Sequence, residues 1–399
     1  MGYSAADEAF RADLRAFLED ALAGEWKDLR GLGGPGRDHE ALDERLAWNR
    51  FLAQEGWTCV GWPTEHGGRG LSLWQQVIFH EEYARSHAPA TVNHLGEQLL
   101  GPTLIAFGTQ AQRDRFLRPI IEVEELWAQG YSEPGAGSDL ANVQTRARLS
   151  DDGSQWVIDG QKVWTSNAHF SQWAFVVART EPGSQRHQGL SFLLVPLDQP
   201  GIEVRPIEQL TGGSEFNEVF LTGAVTDADL VVGEPGRGWG VAMGLLGLER
   251  GVSTLGQVVG FQRELALVCD RARANGTYDD PLVRDRLASL QAELLVMRAN
   301  GVRGLSQVPE GGDSAAGGGA GSIFKIVWAN WHQRLGEVAM DVLGPEGLLQ
   351  VPGSASYELD ELQRIFLFAR ADTIYGGSDE VQKNILAERV LGLPREARP

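Results

Sequence analysis

Apolar side chains in the first third of the chain recur with the period of a helix. Phe10, Leu14, Phe17, Leu18 and Leu22 share one face, and Leu42, Leu46, Phe51 and Leu52 repeat the pattern. A stretch rich in Pro and Gly from Gly61 to Gly70 interrupts it. Ser72-Leu73-Trp74-Gln75 then has the form of a capping box opening a helix toward Ala88. A further helix is expected to end near Gly108, and another to run from Gln110 to Leu117, ahead of Pro119.

The period then changes. Trp156-Val157-Ile158 and Gln161-Lys162-Val163-Trp164 flank Asp159-Gly160, which predicts two strands joined at a tight turn. Ala174 to Ala178, Leu190 to Val195, Ile202 to Ile207 and Glu218 to Leu221 add four short β segments, at spacings that suit a barrel or sandwich. From Gly238 helical spacing returns, in Leu265 to Val268, Leu287 to Met297, Ile323 to Leu343 and Asp372 to Val390. The low-complexity segment Gly311 to Gly321 between them is expected to be a mobile loop. The fold class is α+β in the order helical (1–125), β barrel or sandwich (126–235), helical bundle (236–399).

Composition narrows the function. With 54 acidic against 35 basic side chains the formal charge is −19. That argues against nucleic acid, which needs clustered Lys and Arg, and against an anionic membrane surface. The two cysteines, Cys59 and Cys269, show no metal or disulfide spacing and suit a reducing cytoplasm. Met1 to Glu8 lacks the basic start and apolar run of a signal peptide, and the Leu190 to Leu197 run is too short for a bilayer, so a cytoplasmic protein is expected.

Gly31-Leu32-Gly33-Gly34-Pro35-Gly36 fits a dinucleotide-binding pattern in letters only. It follows a helix rather than a strand, so a loop is expected. There is no HExxH zinc motif and no GxSxG nucleophile elbow. More informative is Tyr131-Ser132-Glu133-Pro134-Gly135-Ala136-Gly137-Ser138-Asp139-Leu140, where glycines beside hydroxyls let backbone N–H groups approach an anion or a flat ring. Trp164-Thr165-Ser166-Asn167, at the end of an expected strand, offers an indole for stacking and hydroxyls for a polar edge.

Taken together these segments resemble the acyl-CoA dehydrogenase family over essentially the whole chain. The matching pieces, in order, are Gly61-Trp62-Pro63 with Gly67-Gly68-Arg69-Gly70, Tyr131 to Leu140, Asp159 to Ser166, Leu248-Glu249-Arg250, and Tyr375-Gly376-Gly377-Ser378-Asp379-Glu380-Val381-Gln382 with Ile385 to Glu396. The family fold, a helical domain, a β domain and a four-helix C-terminal domain, agrees with the order read above. The resemblance implies FAD between the β domain and the C-terminal helices. Gln129, Tyr131 and Ser132 would line the flavin, Trp164 would cover it, and Ser166 would bond near the reactive nitrogen. It also implies that Ser378 and Glu380 contact FAD, that Ser138 meets phosphate or the CoA thioester, and that Arg250 and Tyr375 lie on the substrate side.

The implied reaction converts an acyl-CoA to the trans-2-enoyl-CoA, as in fatty-acid β-oxidation, with electrons passing to an electron-transfer flavoprotein. Many members place the catalytic Glu immediately after the Tyr equivalent to Tyr375, where this chain has Gly376. Isovaleryl- and long-chain-type relatives carry the base on a C-terminal-domain helix, and Glu249 matches that position. Gly376 keeps a role through its N–H, which in the family polarises the thioester carbonyl. A glycine there also leaves room for branched or bulky acyl groups. Arg271-Ala272-Arg273-Ala274-Asn275-Gly276 departs from the family's RxxFG motif, which reaches the neighbouring subunit's FAD. A homotetramer, a homodimer or a heteromer all stay open. The retained Glu249, Ser132, Trp164 and Ser166 favour an enzyme over a non-catalytic partner subunit; an oxidase or flavin monooxygenase on the same fold is the other alternative.

Overall fold

The computed structural model describes residues 3–248, 253–305, 318–349, 351 and 357–395. The N-terminal part comprises α1 (Ala5–Ala23), α2 (Leu42–Gln54), α3 (Leu73–Arg85), α4 (Gly101–Phe107) and α5 (Gln110–Ile121). Ser4, Ser72 and Thr109 cap α1, α3 and α5 through capping boxes, so local chemistry starts these helices where the sequence placed them. α5 runs past Pro119 instead of stopping before it, at the cost of the one N–H to i−4 hydrogen bond that proline cannot make. Leu14, Leu18 and Leu22 of α1 close on Trp48, Leu52 and Ile78. Gly31 to Gly36 form a loop between α1 and α2 in which Gly31, Gly33, Gly34 and Gly36 all have positive φ.

The central sheet has eight strands: β1 (Trp127–Gly130), β2 (Arg146–Leu149), β3 (Gln155–Ser166), β4 (Trp173–Arg179), β5 (Leu190–Pro196), β6 (Ile202–Pro206), β7 (Phe216–Asp227) and β8 (Val231–Val232). Their order is β6-β7-β3-β2-β4-β5-β8, with β1 parallel to β4. The hairpin expected at Asp159-Gly160 is absent: β3 is one strand of 12 residues. Ile158 pairs with Ala224 and Asp159 with Thr222, so the extra residue is Gly223 on β7, whose N–H donates to Asp159 Oδ1 at 2.8 Å. The dipeptide marks a bulge in the partner strand. Gly160 serves a close approach, since a Cβ there would stand 2.4 Å from Thr145 Oγ1.

The sheet is buried on both faces. Phe175 and Val177 enter a core shared with α4, α5 and α6 (Gly238–Leu248), while Ala174, Val176 and Ala178 enter another with Ile158, Leu193 and Val219. The C-terminal part packs α7 (Ser253–Asn275), α8 (Pro281–Leu305), α9 (Gly318–Leu343) and α10 (Glu361–Ala369) around Leu265, Leu294, Trp331, Leu335 and Ile365. The α, β, α order and the four-helix bundle are therefore as expected. Gly318 to Gly321 belong to α9, not to a loop, and residues 311–317 lie outside those described. The single helix expected from Asp372 to Val390 is also corrected. A turn precedes α11 (Asp379–Ile385), because Gly376 and Gly377 adopt φ of +62° and +86°. Among the described residues no helix is long and apolar enough to cross a membrane.

Candidate active site

The loop after β1 is fastened from below by a buried ion pair. Lys162, on β3, is 1% exposed and its Nζ donates to Tyr131 O (3.1 Å), Val177 O (2.7 Å) and Glu133 Oε1 (2.9 Å). Glu133 also accepts from the N–H groups of Gln144 (2.5 Å) and Thr145 (2.9 Å). Burial pulls the Lys162 ammonium down to about 8 against the attraction of Glu133. Burial raises the Glu133 carboxyl, yet Lys162 and the hydrogen bonds hold it below its ordinary range. Val163 N donates to Ser132 O at 3.0 Å, tying the loop to β3. Gln129 sits in β1, and the Tyr131 ring is buried edge-on to Phe175 and Phe192, which leaves its backbone at the loop. A Cβ at Gly135 or Gly137 would meet nothing within 4 Å, and Ser138 is exposed, so this backbone is open to a ligand.

The end of β3 is strained outward. Lys162 pairs with Val219 and Thr165 with Asn217, so here the additional residue is on β3. Trp164 takes φ +57° and Asn167 φ +59°, rare for residues with a side chain and concentrated at ligand sites. The bulge turns the Trp164 indole out, 57% exposed, with Phe216 edge-on at 6.2 Å. Asn167 N to Glu215 O (2.7 Å) and Asn217 Nδ2 to Thr165 O (2.9 Å) hold the distorted backbone. Ser166 is half-buried beside it.

A third wall is the turn between α10 and α11. Lys325 of α9 donates to Asp372 O, Gln333 Nε2 to Thr373 Oγ1 (2.9 Å), and Gln382 Nε2 to the carbonyls of Gly376 (3.1 Å) and Gly377 (3.3 Å). The carbonyls are thus occupied. Among the described residues the N–H groups of Gly376 and Gly377 donate to no acceptor. Two successive free amides in a positive-φ turn are a site for partial negative charge. Tyr375 and Glu380 are exposed, and Ser378 Oγ caps α11 by accepting from Val381 N at 3.4 Å.

The glycine loop closes the remaining side. Gly36 N donates to Glu215 Oε2 at 2.9 Å, and a Cβ at Gly36 would stand 3.2 Å from Phe368 of α10. Burial and nearby Asp38 push the Glu215 carboxyl up to about 8, so it holds a proton at neutral pH. Glu215 lies within electrostatic reach of Tyr375, and Asp38 within reach of His94 and His169. One wall is thus polar, unlike a simple apolar tunnel.

The fold therefore brings Ser132, Trp164 and Ser166 to one edge of the sheet, and Tyr375, Gly376 and Ser378 to a turn linked to that edge through Glu215. Glu249 and Arg250 lie outside the described residues. Sequence reasoning did not single out Lys162, Glu215 or His332. An inward Lys at the two-residue period of β3 was a usable signal, because a buried ammonium requires a carboxylate.

Three family models cover the chain in order: acyl-CoA dehydrogenase, N-terminal domain (residues 4–124), middle domain (128–223) and C-terminal domain (236–391). The chain belongs to the acyl-CoA dehydrogenase family, a family of oxidoreductases that generally bind FAD. It is 61% identical over 391 residues to the acyl-CoA dehydrogenase IpdE1 of Mycobacterium tuberculosis, covering 98% of this chain and 99% of that protein. The IpdE1 of Mycolicibacterium smegmatis is 58% identical over 399 residues, covering 98% and 99%. Among solved structures, the Tcur3481-Tcur3483 steroid acyl-CoA dehydrogenase superposes with TM-score 0.81 at 28% identity, covering 99% of each chain. The ChsE4-ChsE5 complex from Mycobacterium tuberculosis gives TM-score 0.79 at 27% identity, with 100% of each chain covered.

Proposed function

We propose that this chain catalyses α,β-dehydrogenation of a bulky, ring-containing acyl-CoA, working beside a second dehydrogenase-like chain and passing electrons to an electron-transfer flavoprotein. The observation that carries the reading is the Tyr375–Gly377 turn: free amides where many relatives have a carboxylate, and no side chain on Gly376, where a Cβ would stand 3.5 Å from the Lys325 stem. The likeness to a steroid acyl-CoA dehydrogenase supports the size of the acyl group, and the two paired complexes support the second chain. Fatty-acid β-oxidation, implied by the resemblance, is accordingly replaced by ring-containing thioesters as the preferred substrate class.

The residues present fit FAD. Trp164 offers an exposed indole face, Ser132 and Ser166 offer hydroxyls beside it, and the open backbone at Gly135 and Gly137 suits a phosphate. Gln129, Tyr131 through its backbone, Ser138, Ser378 and Glu380 complete the proposed contacts. When bound, FAD supplies the acceptor for the β-hydride. Glu249 removes the α-proton, and the Gly376 N–H stabilises charge building on the thioester oxygen. Arg250 and Tyr375 border the acyl group.

The test is Glu249→Gln, mixed with cyclohexanecarboxyl-CoA and a fused-ring homologue. The variant keeps its flavin spectrum while substrate bleaching slows by about 10²–10⁴-fold, the usual worth of a general base. Bleaching at the wild-type rate would remove Glu249 from the role.

A further inference from the structure

The turn carrying Gly376 is gripped by a buried chain of charges that the chemistry above does not use. His332, on α9, is 5% exposed and its ring lies between two carboxylates. Nδ1 is 2.5 Å from Asp372 Oδ2, and Nε2 is 2.9 Å from Glu264 Oε2 on α7. The second contact is off the line of a hydrogen bond, so it is a charge contact. Asp372, 1% exposed, accepts from the Tyr375 hydroxyl at 2.8 Å through its other oxygen. Lys325 Nζ, bound to Asp372 O, stands 4.6 Å from the Trp328 ring centroid and 5.0 Å from that of Tyr375. The chain runs Glu264, His332, Asp372, Tyr375, and ends beside the free amide of Gly376.

A stabilising role alone accounts poorly for this. Ion pairs taken out of water seldom outperform well-packed apolar groups, and the side chains of the surrounding hydrophobic cluster are Leu, Val, Ile, Ala, Met, Trp and Phe. Among the described residues the cluster bonds, beyond the helices, to the turn with the unoccupied amides. We propose that Glu264, His332 and Asp372 are positioning residues: the His332 ring, set between Glu264 and Asp372, holds the Asp372 carboxyl in place, Asp372 fixes the Tyr375 hydroxyl, and the following peptide is held with its N–H toward the thioester carbonyl. This rests on the reading that the Gly376 amide polarises that carbonyl.

Charge supports the geometry. Burial alone would pull His332 down, but Glu264 and Asp372 push it up to about 10, so it stays protonated near neutral pH. The groups facing it are Glu264 from α7 and Asp372 from the turn, with Lys325, Tyr375 and Glu215 one contact further on. Removing one carboxylate brings its ionisation into reach of an experiment.

The test uses the purified holoenzyme with any chain that co-purifies, and the cyclic acyl-CoA that bleaches the flavin fastest, labelled with ¹³C at the carbonyl. In the wild type the isotope-edited carbonyl band of the bound thioester shifts to lower frequency. In His332→Gln the shift is lost and flavin reduction slows about 100-fold, the cost of a reacting group misplaced by about 1 Å, with KM within about threefold. Glu264→Gln, at the solvent edge, retains the Asp372 contact and serves if the first variant does not fold. Its reduction rate acquires a new ionisation and falls as pH rises through the lowered His332 value, whereas the wild-type rate shows none there. An unshifted wild-type band overturns the role of the Gly376 amide and this proposal with it. A shifted wild-type band that survives in both variants, with unchanged rates and parallel pH profiles, overturns the positioning role alone.

Discussion

At the scale of single residues, what matters is how burial sets charge. Among the described residues the Glu215 carboxyl accepts from the Gly36 N–H alone, lies near Asp38, and is pushed up to about 8. The folded state therefore holds a proton that the unfolded chain releases near its ordinary 4.5. Stability from this group is full below that value and is lost as pH rises toward 8. Glu215→Gln imitates the protonated form, so it should melt above the wild type at pH 8 and no higher than it at pH 5. Thermal denaturation of both proteins at the two pH values checks this. A wild-type advantage at pH 8 would mean that Glu215 is ionised and paired in the folded protein. None of this was legible beforehand, because Asp38, Glu215 and Tyr375 come from three separate parts of the chain. That Trp164 and Ser166 lie together at the end of one strand was legible, since their neighbours in sequence are also their neighbours in space.

At the scale of elements, periodicity located helices and strands well and failed where glycine carried two meanings. Asp159-Gly160 reads as a hairpin turn, yet in the fold it lies in mid-strand, because Gly160 admits the backbone of Thr145 and Gly223 takes the bulge opposite. Gly318 to Gly321 read as loop but begin α9, where packing outweighs intrinsic propensity and a Cβ at Gly319 would stand 3.2 Å from Val390. Conversely, Gly376 and Gly377 break a pattern that reads as helix throughout. In the loop built on Glu133, Lys162 is the cation hydrogen-bonded to the carboxylate, with Arg179 within electrostatic reach. Lys162→Met leaves that carboxylate buried without its bonded cation, at a cost of about 3–5 kcal/mol, and should also loosen FAD, because Tyr131 O and Glu133 lose their common anchor. Pairing it with Glu133→Leu should recover most of the melting temperature. Failure of the double variant to exceed the single one would show that the hydrogen bonds to Gln144 and Thr145 matter more than the charge pair.

At the scale of the molecule, a charge of −19 is compatible with the anionic ligands of the proposed function if local N–H groups and hydroxyls, not a basic surface, meet their phosphates. The apolar surface is the more telling feature. On α8 and α9, Leu295, Val296, Ile323 and Val327 are 57%, 59%, 52% and 40% exposed, although both helices belong to a well-packed bundle. Such side chains on a bundle's outer face suit burial against another helical surface. With the altered arginine motif at Arg271 to Gly276, a copy of the same chain is less suited to complete the FAD site, and a related but different chain is the preferred partner. Expressed alone, the protein should therefore be pale and polydisperse. Co-expressed with a dehydrogenase-like homologue from the same genome, it should form an assembly of both chains holding fewer flavins than subunits. Native mass spectrometry with flavin quantification gives both numbers at once. A yellow homotetramer with one FAD per chain, active on the ring-containing thioesters, would rule the second chain out and return Arg271 or Arg273 to candidacy for the pyrophosphate.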